Sequence, residues 1–256
     1  MPLEGNRLML LQDQVAVVTG GGRGIGRAIA ILFAQHGARV AVADKDLSSA
    51  ESVVAELDEP AHGLALPVDV TKPEQVKRML TETDQHWGRL DTLVCNAGIS
   101  RSTPFQEMTE SNWDQMLATN LKSVFLCCRI ALEIMTPRRS GQIITIASIA
   151  GKRGGGIFGR TDYAASKGGV LGFTRALARE AISLGIRVNG ICPGATETDL
   201  ISSITAAQRE HVIAQTPIGR FARPDEIAGA ALFLASELSS YCVGEFINVD
   251  GGVVMD

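Results

Sequence analysis

A tyrosine and a lysine four residues apart, Tyr163 and Lys167, form the pair in this sequence whose types and spacing favour proton chemistry. The residues around them have a helical pattern, and on a helix this spacing places both side chains on one face, one turn apart. A cation at that distance favours the ionised phenol and lowers a pKa that is ordinarily about 10. A phenol with a lowered pKa can act as a general acid or base near neutrality. Most such pairs are only part of a helix surface, so the interpretation depends on the rest of the chain.

A glycine-rich segment, residues 19–26, joins the first predicted strand to the first predicted helix. Glycines allow the backbone to turn tightly against a pyrophosphate, and a helix N-terminus supplies free N–H groups and partial positive charge. The spacing is G-x-x-x-G-x-G, which differs from the general G-x-G-x-x-G fingerprint. Its position between a strand and a helix near the start of the chain predicts a dinucleotide phosphate site rather than an ordinary turn.

Asp44, at the end of the second predicted strand, bears on the choice of dinucleotide. A carboxylate there can accept hydrogen bonds from the ribose hydroxyls of NAD, and it repels the 2′-phosphate of NADP. Arg23 and Lys45 favour the opposite choice, because each could pair with that phosphate. We expect Asp44 to decide, because a carboxylate at the ribose is a direct repulsive element. NAD is therefore the expected cofactor, with NADP as the alternative.

Strand-like and helix-like segments alternate along the whole chain. Predicted strands occupy residues 15–19, 39–43, 63–68, a stretch ending at 93–95, 142–147, 186–191 and 246–249. Predicted helices occupy residues 25–36, 48–57, 73–86, 113–135, a segment around Tyr163 that ends near 184, and 224–235. Continuous apolar strands separated by helices are typical of a parallel sheet covered on both faces. No linker or repeat divides the chain, so we predict a single doubly wound α/β domain of the Rossmann type over residues 1–256, with about seven strands.

The composition argues against several classes of function. The 256 residues include 24 basic and 28 acidic side chains, a balance that disfavours nucleic acid or a membrane surface as the main partner. No apolar run is long enough to span a membrane and no signal peptide is recognised, so a cytoplasmic protein is expected. The five cysteines form no C-x-x-C, which predicts buried reduced thiols. The four histidines lack metal-ligand spacing, so no metal is expected.

Taken together, these motifs resemble the short-chain dehydrogenase/reductase family in its compact single-domain form. The matching residues, in the family's order, are the glycine loop, Asp69-Val70, Asn96-Ala97-Gly98, Asn120, Ser148, Tyr163-Ala164-Ala165-Ser166-Lys167, Pro193-Gly194 and Asp250-Gly251-Gly252. The resemblance implies an oxidoreductase that transfers a hydride between NAD(H) and a secondary alcohol or ketone. It also implies a homotetramer, to whose interfaces the predicted helix 113–135, the Tyr163-bearing helix and the apolar pair Val253-Val254 would contribute.

The resemblance also implies roles for individual residues. Tyr163 is the expected acid/base, Lys167 would lower its pKa and hold the nicotinamide ribose, and Ser148 would hydrogen-bond the substrate oxygen. Asn120 would hold a water that links Lys167 to bulk solvent. The expected cofactor contacts are Gly20, Arg23, Gly24, Ile25, Gly26, Asp44, Asp69, Val70, Asn96, Ala97, Gly98, Tyr163, Lys167, Pro193, Gly194, Thr196 and Thr198.

The sequence departs from the family pattern at three places. Cys95 stands where the family commonly has Asn, and Thr196 where an apolar residue is usual. Ser148 precedes Tyr163 by two residues more than is usual in the family, so residues 152–158 carry a short insertion. A loop absorbs two extra residues at small cost, because closure entropy grows only with the logarithm of length. Ser148 therefore stays in the predicted site.

The substrate end of the site is predicted to be formed by residues 100–105, residues 150–158 and a substrate loop at residues 197–216. Candidate substrate contacts in these segments are Ser100, Arg101, Lys152 and Phe158. The basic candidates, together with Arg153, would favour an acidic or phosphorylated substrate, although solvated loop charges are the more ordinary explanation. The apolar candidate predicts a wall that would suit acyl or cyclic carbonyl compounds equally.

Three functions remain open at this point. The leading one is an NAD-dependent alcohol dehydrogenase or ketone reductase that acts on a small molecule. The alternative within the same chemistry is an NADPH-dependent 3-oxoacyl thioester (acyl-carrier-protein) reductase, favoured by Arg23 and by the apolar loop. The third is a non-catalytic dinucleotide-binding protein, and the intact set of catalytic residues argues against it.

Overall fold

A parallel sheet of seven strands forms the centre of the computed structural model, which describes residues 9–59, 62–201 and 204–255. The strands are β1 Val15–Thr19, β2 Arg39–Asp44, β3 Gly63–Pro67, β4 Thr92–Cys95, β5 Gly141–Ile146, β6 Ile186–Pro193 and β7 Phe246–Val249. They lie in the order β3-β2-β1-β4-β5-β6-β7, and each neighbouring pair is parallel. Their valine- and isoleucine-rich sequences suit a pleated surface that is buried on both faces.

Helices cover both faces of this sheet. They are α1 Gly24–Gln35, α2 Leu47–Ala55, α3 Pro73–Trp87, α4 Glu110–Leu117, α5 Ser123–Met135, α6 Ala150–Arg153, α7 Thr161–Ala181, α8 Ala206–Ala214 and α9 Pro224–Ala235. Helices α1, α2 and α9 bury apolar side chains against one face of the sheet. Helices α3, α5 and α7 do the same on the other face. The predicted doubly wound α/β fold is therefore confirmed.

The strand order reverses between β1 and β4, and this reversal opens a crevice at the carboxyl ends of the two strands. The glycine loop follows β1, and Asn96 follows β4, so both motifs lie at this crevice. The Asn96 amide Nδ2 donates hydrogen bonds of 2.9 Å to the carbonyl oxygens of Thr19 and Gly20. The Asn96 backbone N–H donates to Thr19 Oγ1 at 3.0 Å. The protein's own hydrogen bonds therefore fix the shape of the crevice.

The predicted long helix 113–135 is corrected by the structure. It begins earlier, with Thr109 as its cap, since Thr109 Oγ1 accepts a 3.1 Å hydrogen bond from the Asn112 N–H. It is also interrupted by a π-helical turn, Ala118–Lys122, between α4 and α5. Such turns need a widened hydrogen-bonding pattern, and they commonly mark functional sites.

The predicted substrate loop, residues 197–216, contains helix α8. Thr205 and Gln208 form a capping box at its start, in which each side chain bonds to the other's backbone N–H. Residues 202 and 203 of this loop, and residues 1–8, 60, 61 and 256 of the predicted domain, lie outside the described residues. Among the residues that the structure describes, no helix is long and apolar enough to cross a membrane.

All five cysteines are free thiols, and four of them are buried, as predicted. The sulfur atoms of Cys95 and Cys128 lie 4.0 Å apart in the core on the α5 side of the sheet. Cys95 thus serves as a small apolar core residue at the end of β4. Its presence in place of the family's Asn leaves the neighbouring Asn96 hydrogen bonds intact.

Candidate active site

A cavity of about 1550 Å³ lies along the carboxyl edge of the sheet. The predicted residues that line it are Gly20, Arg23, Gly24, Ile25, Asp44, Asp69, Val70, Asn96, Ala97, Gly98, Ser100, Ser148, Phe158, Tyr163, Lys167, Pro193, Gly194, Thr196 and Thr198. Pockets for single small ligands commonly span about 300–1,000 Å³. The larger volume here suits an extended ligand together with a second, smaller one.

Four predicted site residues do not line this cavity. At Gly26 an ideal Cβ would lie 2.1 Å from the Gly20 carbonyl oxygen, so this glycine permits close packing of α1 against the loop rather than a ligand contact. Arg101 is directed to Gln115, to whose Oε1 its guanidinium donates a hydrogen bond. Lys152 lies on α6 outside the cavity wall, and Asn120 is buried behind it. Direct substrate contacts of Arg101 and Lys152 are therefore not supported by this structure.

Tyr163 and Lys167 lie on one face of α7, as their spacing predicts. The Lys167 Nζ lies 5.9 Å from the centroid of the Tyr163 ring. Ser148, two residues after β5, forms a side-chain hydrogen bond with Tyr163, and its Oγ accepts a 3.1 Å hydrogen bond from the Ala150 N–H. The two extra residues before α7 therefore leave Ser148 and Tyr163 together.

The expected lowering of the Tyr163 pKa is wrong for this structure. Burial raises the pKa of the phenol, and the hydrogen bond with Ser148 opposes this effect without reversing it. Lys167 contributes no comparable lowering, because its Nζ donates a 2.7 Å hydrogen bond to the Ile146 carbonyl oxygen instead. The phenol accordingly carries its proton at neutral pH.

Lys167 is itself perturbed by its surroundings. Its side chain is buried, and this burial lowers the pKa of the ammonium from 10.5 to about 8, although the nearby thiols of Cys192 and Cys95 act in the opposite direction. Removal of a charge from water disfavours its ionised form, which is the physical cause of the change. The buried Lys167 ammonium therefore loses its proton at a lower pH than an exposed lysine does, and it lies next to a neutral phenol.

Asn120 occupies the π-helical turn and is fully buried. Its Oδ1 accepts a 2.8 Å hydrogen bond from the Ile99 N–H, and its Nδ2 donates to the Ile99 carbonyl oxygen at 2.9 Å. Its Nδ2 also lies 3.1 Å from Ser166 Oγ on α7. Asn120 thus joins the loop after β4 to the helix that carries Tyr163. The π-helical turn places it between these two elements.

The opposite end of the cavity is formed around Asp44. Its two carboxylate oxygens accept hydrogen bonds from the N–H groups of Gly22, at 3.0 Å, and Asp46, at 3.1 Å. The two cations that could bind a 2′-phosphate both have carboxylate neighbours. Arg23 lies 4.0 Å from Asp199. Lys45 lies 3.7 Å from Asp69.

The backbone between these two ends fits a dinucleotide. Gly20 and Gly24 have positive φ angles of 62° and 54°, which residues with a side chain rarely adopt. These two glycines therefore allow the backbone to turn tightly, and they place no side chain of their own on the cavity side of the loop. At Gly98 an ideal Cβ would lie 3.3 Å from Asn120 Oδ1 and 3.6 Å from Lys167 Nζ. A side chain at Gly98 would therefore fill the space beside the lysine. The residues present suit a pyrophosphate at the glycine loop and a flat ring near Lys167.

Several residues of the site were not predicted from the sequence. The Ile146 carbonyl and the Ser166 hydroxyl hold catalytic candidates, yet neither has a distinctive sequence pattern. The cavity is also lined by Gln115 and Val253, which were not predicted as site residues. His211, Val212 and Gln215 line it too, and they lie within the predicted substrate loop at residues 197–216, although none of them was predicted individually. The Thr205-x-x-Gln208 capping box could have indicated the helix that carries His211 and Val212.

Known proteins resemble this chain over nearly its whole length. A family model described as enoyl-(acyl carrier protein) reductase matches residues 20–254. The 3-oxoacyl-[acyl-carrier-protein] reductase FabG of Thermotoga maritima is 40% identical over 252 residues, which cover 96% of this chain and 100% of that protein. The FabG of Escherichia coli is 40% identical over 247 residues, with the same coverage of 96% and 100%. A solved short-chain type dehydrogenase/reductase from Mycobacterium marinum has a TM-score of 0.90 and 34% identity, covering 97% of this chain and 98% of its own.

The fold and the cavity define a dinucleotide-binding oxidoreductase of the doubly wound class. The chain belongs to the short-chain dehydrogenase/reductase family, as its motifs indicated. It is therefore an NAD(P)-dependent oxidoreductase that acts on CH–OH groups and the corresponding ketones.

Proposed function

We propose that this protein reduces the keto group of a 3-oxoacyl thioester carried on acyl carrier protein. Full-length similarity to two reductases named for this substrate supports the proposal. It favours the thioester reductase over the general alcohol dehydrogenase that the sequence motifs put first. The cavity also extends past Tyr163 to Ile157 and Phe158, an apolar wall suited to an acyl chain.

The placement of the Tyr163 phenol beside Ser148 in the cavity is the observation that carries the proposed reaction. Reduction of a ketone requires a proton for the carbonyl oxygen, and the Tyr163 phenol, whose pKa is raised by burial, can supply it. The bound dinucleotide supplies the hydride. Ser148 would donate a hydrogen bond to the same oxygen as negative charge develops there.

Lys167 lines the cavity and Asn120 lies behind its wall, and both would support the site by their positions. The Lys167 ammonium, held by the Ile146 carbonyl, would bind the nicotinamide ribose, as the family resemblance implies. Asn120 would fix the distance between α7 and the loop after β4 through Ser166 and Ile99. We also propose that the cofactor contacts implied by the family resemblance form in this protein, apart from a contact at Gly26.

We assign NAD(H) as the preferred cofactor because of Asp44. Its carboxylate lines the cavity at the end of β2, where it would accept hydrogen bonds from ribose hydroxyls and repel a 2′-phosphate. Arg23 and Lys45 are the largely exposed cations at this end of the cavity that would favour NADP(H) instead. Under this assignment, Asp44→Ala should shift the ratio of kcat/KM values towards NADPH. Asp58→Ala, which removes an exposed carboxylate outside the cavity, is the matched control.

Steady-state reduction of acetoacetyl thioesters tests the proposed reaction. Acyl carrier protein, pantetheine and N-acetylcysteamine would carry the acetoacetyl group, and simple cyclic ketones and sugars would serve as competitors. We expect the highest kcat/KM for the carrier-protein thioester. Efficient turnover of a sugar or cyclic ketone without turnover of any thioester would contradict the proposed substrate and return the assignment to a general ketone reductase.

We further propose that the chain acts as one domain and assembles into a homotetramer. The support is the family resemblance, which places α4, α5 and α7 at subunit contacts, together with exposed apolar side chains such as Phe125 on α5. Sedimentation at micromolar protein concentration tests this, and a monomer would contradict it. A cytoplasmic location stays a prediction from composition.

A further inference from the structure

The loop between α6 and α7 is attached to the cavity wall at two backbone carbonyls. Ser102 Oγ donates a 2.7 Å hydrogen bond to the Ile157 carbonyl oxygen. Ser100 Oγ donates to the carbonyl oxygen of Phe158, the next residue. These bonds join the two-residue insertion to the segment that follows β4. The backbone of Phe158 is therefore held in place where its side chain lines the cavity.

The Phe158 ring is held from its other side as well. It meets the ring of Phe221 edge to face, with centroids 6.1 Å apart and an angle of 69° between the planes. Phe221 is buried, and the guanidinium of Arg209 on α8 lies 4.5 Å from its centroid. Arg209 is in turn paired with Glu197 through two hydrogen bonds, one of them the 3.1 Å bond from Nη1 to Oε2. An arginine fork on a carboxylate is a rigid arrangement.

Three separate segments around the substrate end are thereby joined into one stack. The order of contact is Glu197, Arg209, Phe221 and Phe158, which links α8 to the inserted loop. Helix α8 also contributes His211 and Val212 to the same cavity. A ring held both at its backbone and at its edge cannot turn aside for a larger ligand without loss of these contacts.

We infer that Phe158 sets the upper limit of substrate size, and that Arg209 is a positioning residue that keeps Phe158 in place through Phe221. The inference deepens the proposed function and rests on it for the identity of the acyl substrate. In consequence, short acyl chains are accepted and longer ones are rejected at the Phe158 ring. The size limit depends on the stack rather than on the phenyl ring alone.

The test is a chain-length profile of kcat/KM. Wild-type protein, Phe158→Ala and the control Tyr241→Ala would be assayed on 3-oxoacyl N-acetylcysteamine thioesters of increasing length. Tyr241 is an exposed aromatic residue outside the cavity lining. A methylene group in an apolar pocket is worth about tenfold or more in kcat/KM, so Phe158→Ala should raise the long-to-short ratio by about tenfold. Tyr241→Ala should leave that ratio unchanged.

Arg209 is tested by the same profile and by a double-mutant cycle. Arg209→Ala should move the ratio in the same direction as Phe158→Ala but by less, and Arg209→Lys should restore part of the limit. In the Phe158→Ala background, Arg209→Ala should have no further effect on the ratio, because its action passes through the missing ring. A merely structural role of Arg209 would lower kcat/KM equally at every chain length, which would overturn its positioning role.

Failure of the proposed function can be distinguished from failure of this inference. A parallel series of methyl ketones of increasing length contains no thioester. If the wild type reduces only the ketones, the thioester assignment fails while the size limit is still measured. An unchanged long-to-short ratio in Phe158→Ala, or a wild type that reduces neither series, overturns the inference.

Discussion

Replacement of Lys167 by methionine is expected to stabilise the fold while it abolishes turnover. Burial lowers the pKa of this lysine from 10.5 to about 8. Each pKa unit corresponds to about 1.4 kcal/mol, so a charged Lys167 costs the folded state about 3 kcal/mol at about pH 7. Loss of the 2.7 Å hydrogen bond to Ile146 offsets about 1.5–2 kcal/mol of this gain. Methionine fills similar space without charge, so the variant should be more stable by about 1 kcal/mol.

The pH dependence of this effect has a definite sign. Between about pH 8 and 10.5 the unfolded chain keeps the lysine proton while the folded chain has released it, so wild-type stability rises with pH. At about pH 9.5 the cost has fallen to about 1.4 kcal/mol, a change of about 2 kcal/mol, so the variant should then be less stable than the wild type by about 1 kcal/mol. The raised pKa values of Cys95, Cys127 and Tyr163 also affect stability in this range. Those of Cys127 and Tyr163 are common to both proteins and cancel in the difference, whereas the pKa of Cys95 rises further in the variant, because the Lys167 charge that lowers it is absent.

Urea unfolding of the two proteins at both pH values, at one protomer concentration, measures this difference. Lys77→Met, which replaces an exposed lysine on α3, is the control and should show little difference from the wild type at either pH. The reasoning is refuted if the Lys167→Met protein is less stable than the wild type near neutrality. It is also refuted if the difference between the two proteins is independent of pH.

Three further predictions follow from contacts of the site and the core. Asn120→Ala leaves the N–H and carbonyl groups of Ile99 without partners, each worth about 1–3 kcal/mol, so urea unfolding should show a loss of about 2 kcal/mol or more together with lost turnover. Gly190→Ala would place a Cβ 2.1 Å from the Phe246 ring. It should lower stability by about 1–3 kcal/mol without a change in KM, and an unchanged thermal midpoint would contradict this. Tyr163→Phe should bind NADH, as read by fluorescence, with almost no turnover, and wild-type turnover would remove it from the proposed mechanism.

The sheet and most of the cavity could be predicted because their signals are local. Each strand is a short apolar run, and the glycine loop, Asp44, Asn96 and Ser148 stand at or just after strand ends. In a parallel sheet the carboxyl ends of all strands lie along one edge. Residues that follow different strands are therefore brought together there. Asp44, Asn96 and Ser148 reached the cavity for this reason.

The parts that could not be predicted depend on non-local contacts. The π-helical turn exists where Asn120 meets Ile99 and Ser166, which are distant in the sequence. The raised pKa of Tyr163 depends on burial and on the direction of the Lys167 ammonium, and a spacing of four residues determines neither. Arg101 follows the cavity-lining Ser100 in the sequence, yet Arg101 itself does not line the cavity and donates a hydrogen bond to the Gln115 side chain.

Asp44 has a second role that bears on how cofactor choice can change. The carboxylate proposed to select the dinucleotide also accepts the Gly22 N–H, inside the loop that would hold the phosphates. Replacement of Asp44 by alanine therefore removes both the negative charge and a hydrogen-bond acceptor of that loop. Replacement by asparagine removes the charge and keeps a side-chain oxygen that can accept the Gly22 N–H. A change of preference towards the phosphorylated dinucleotide that also preserves the loop is therefore expected to pass through asparagine rather than alanine.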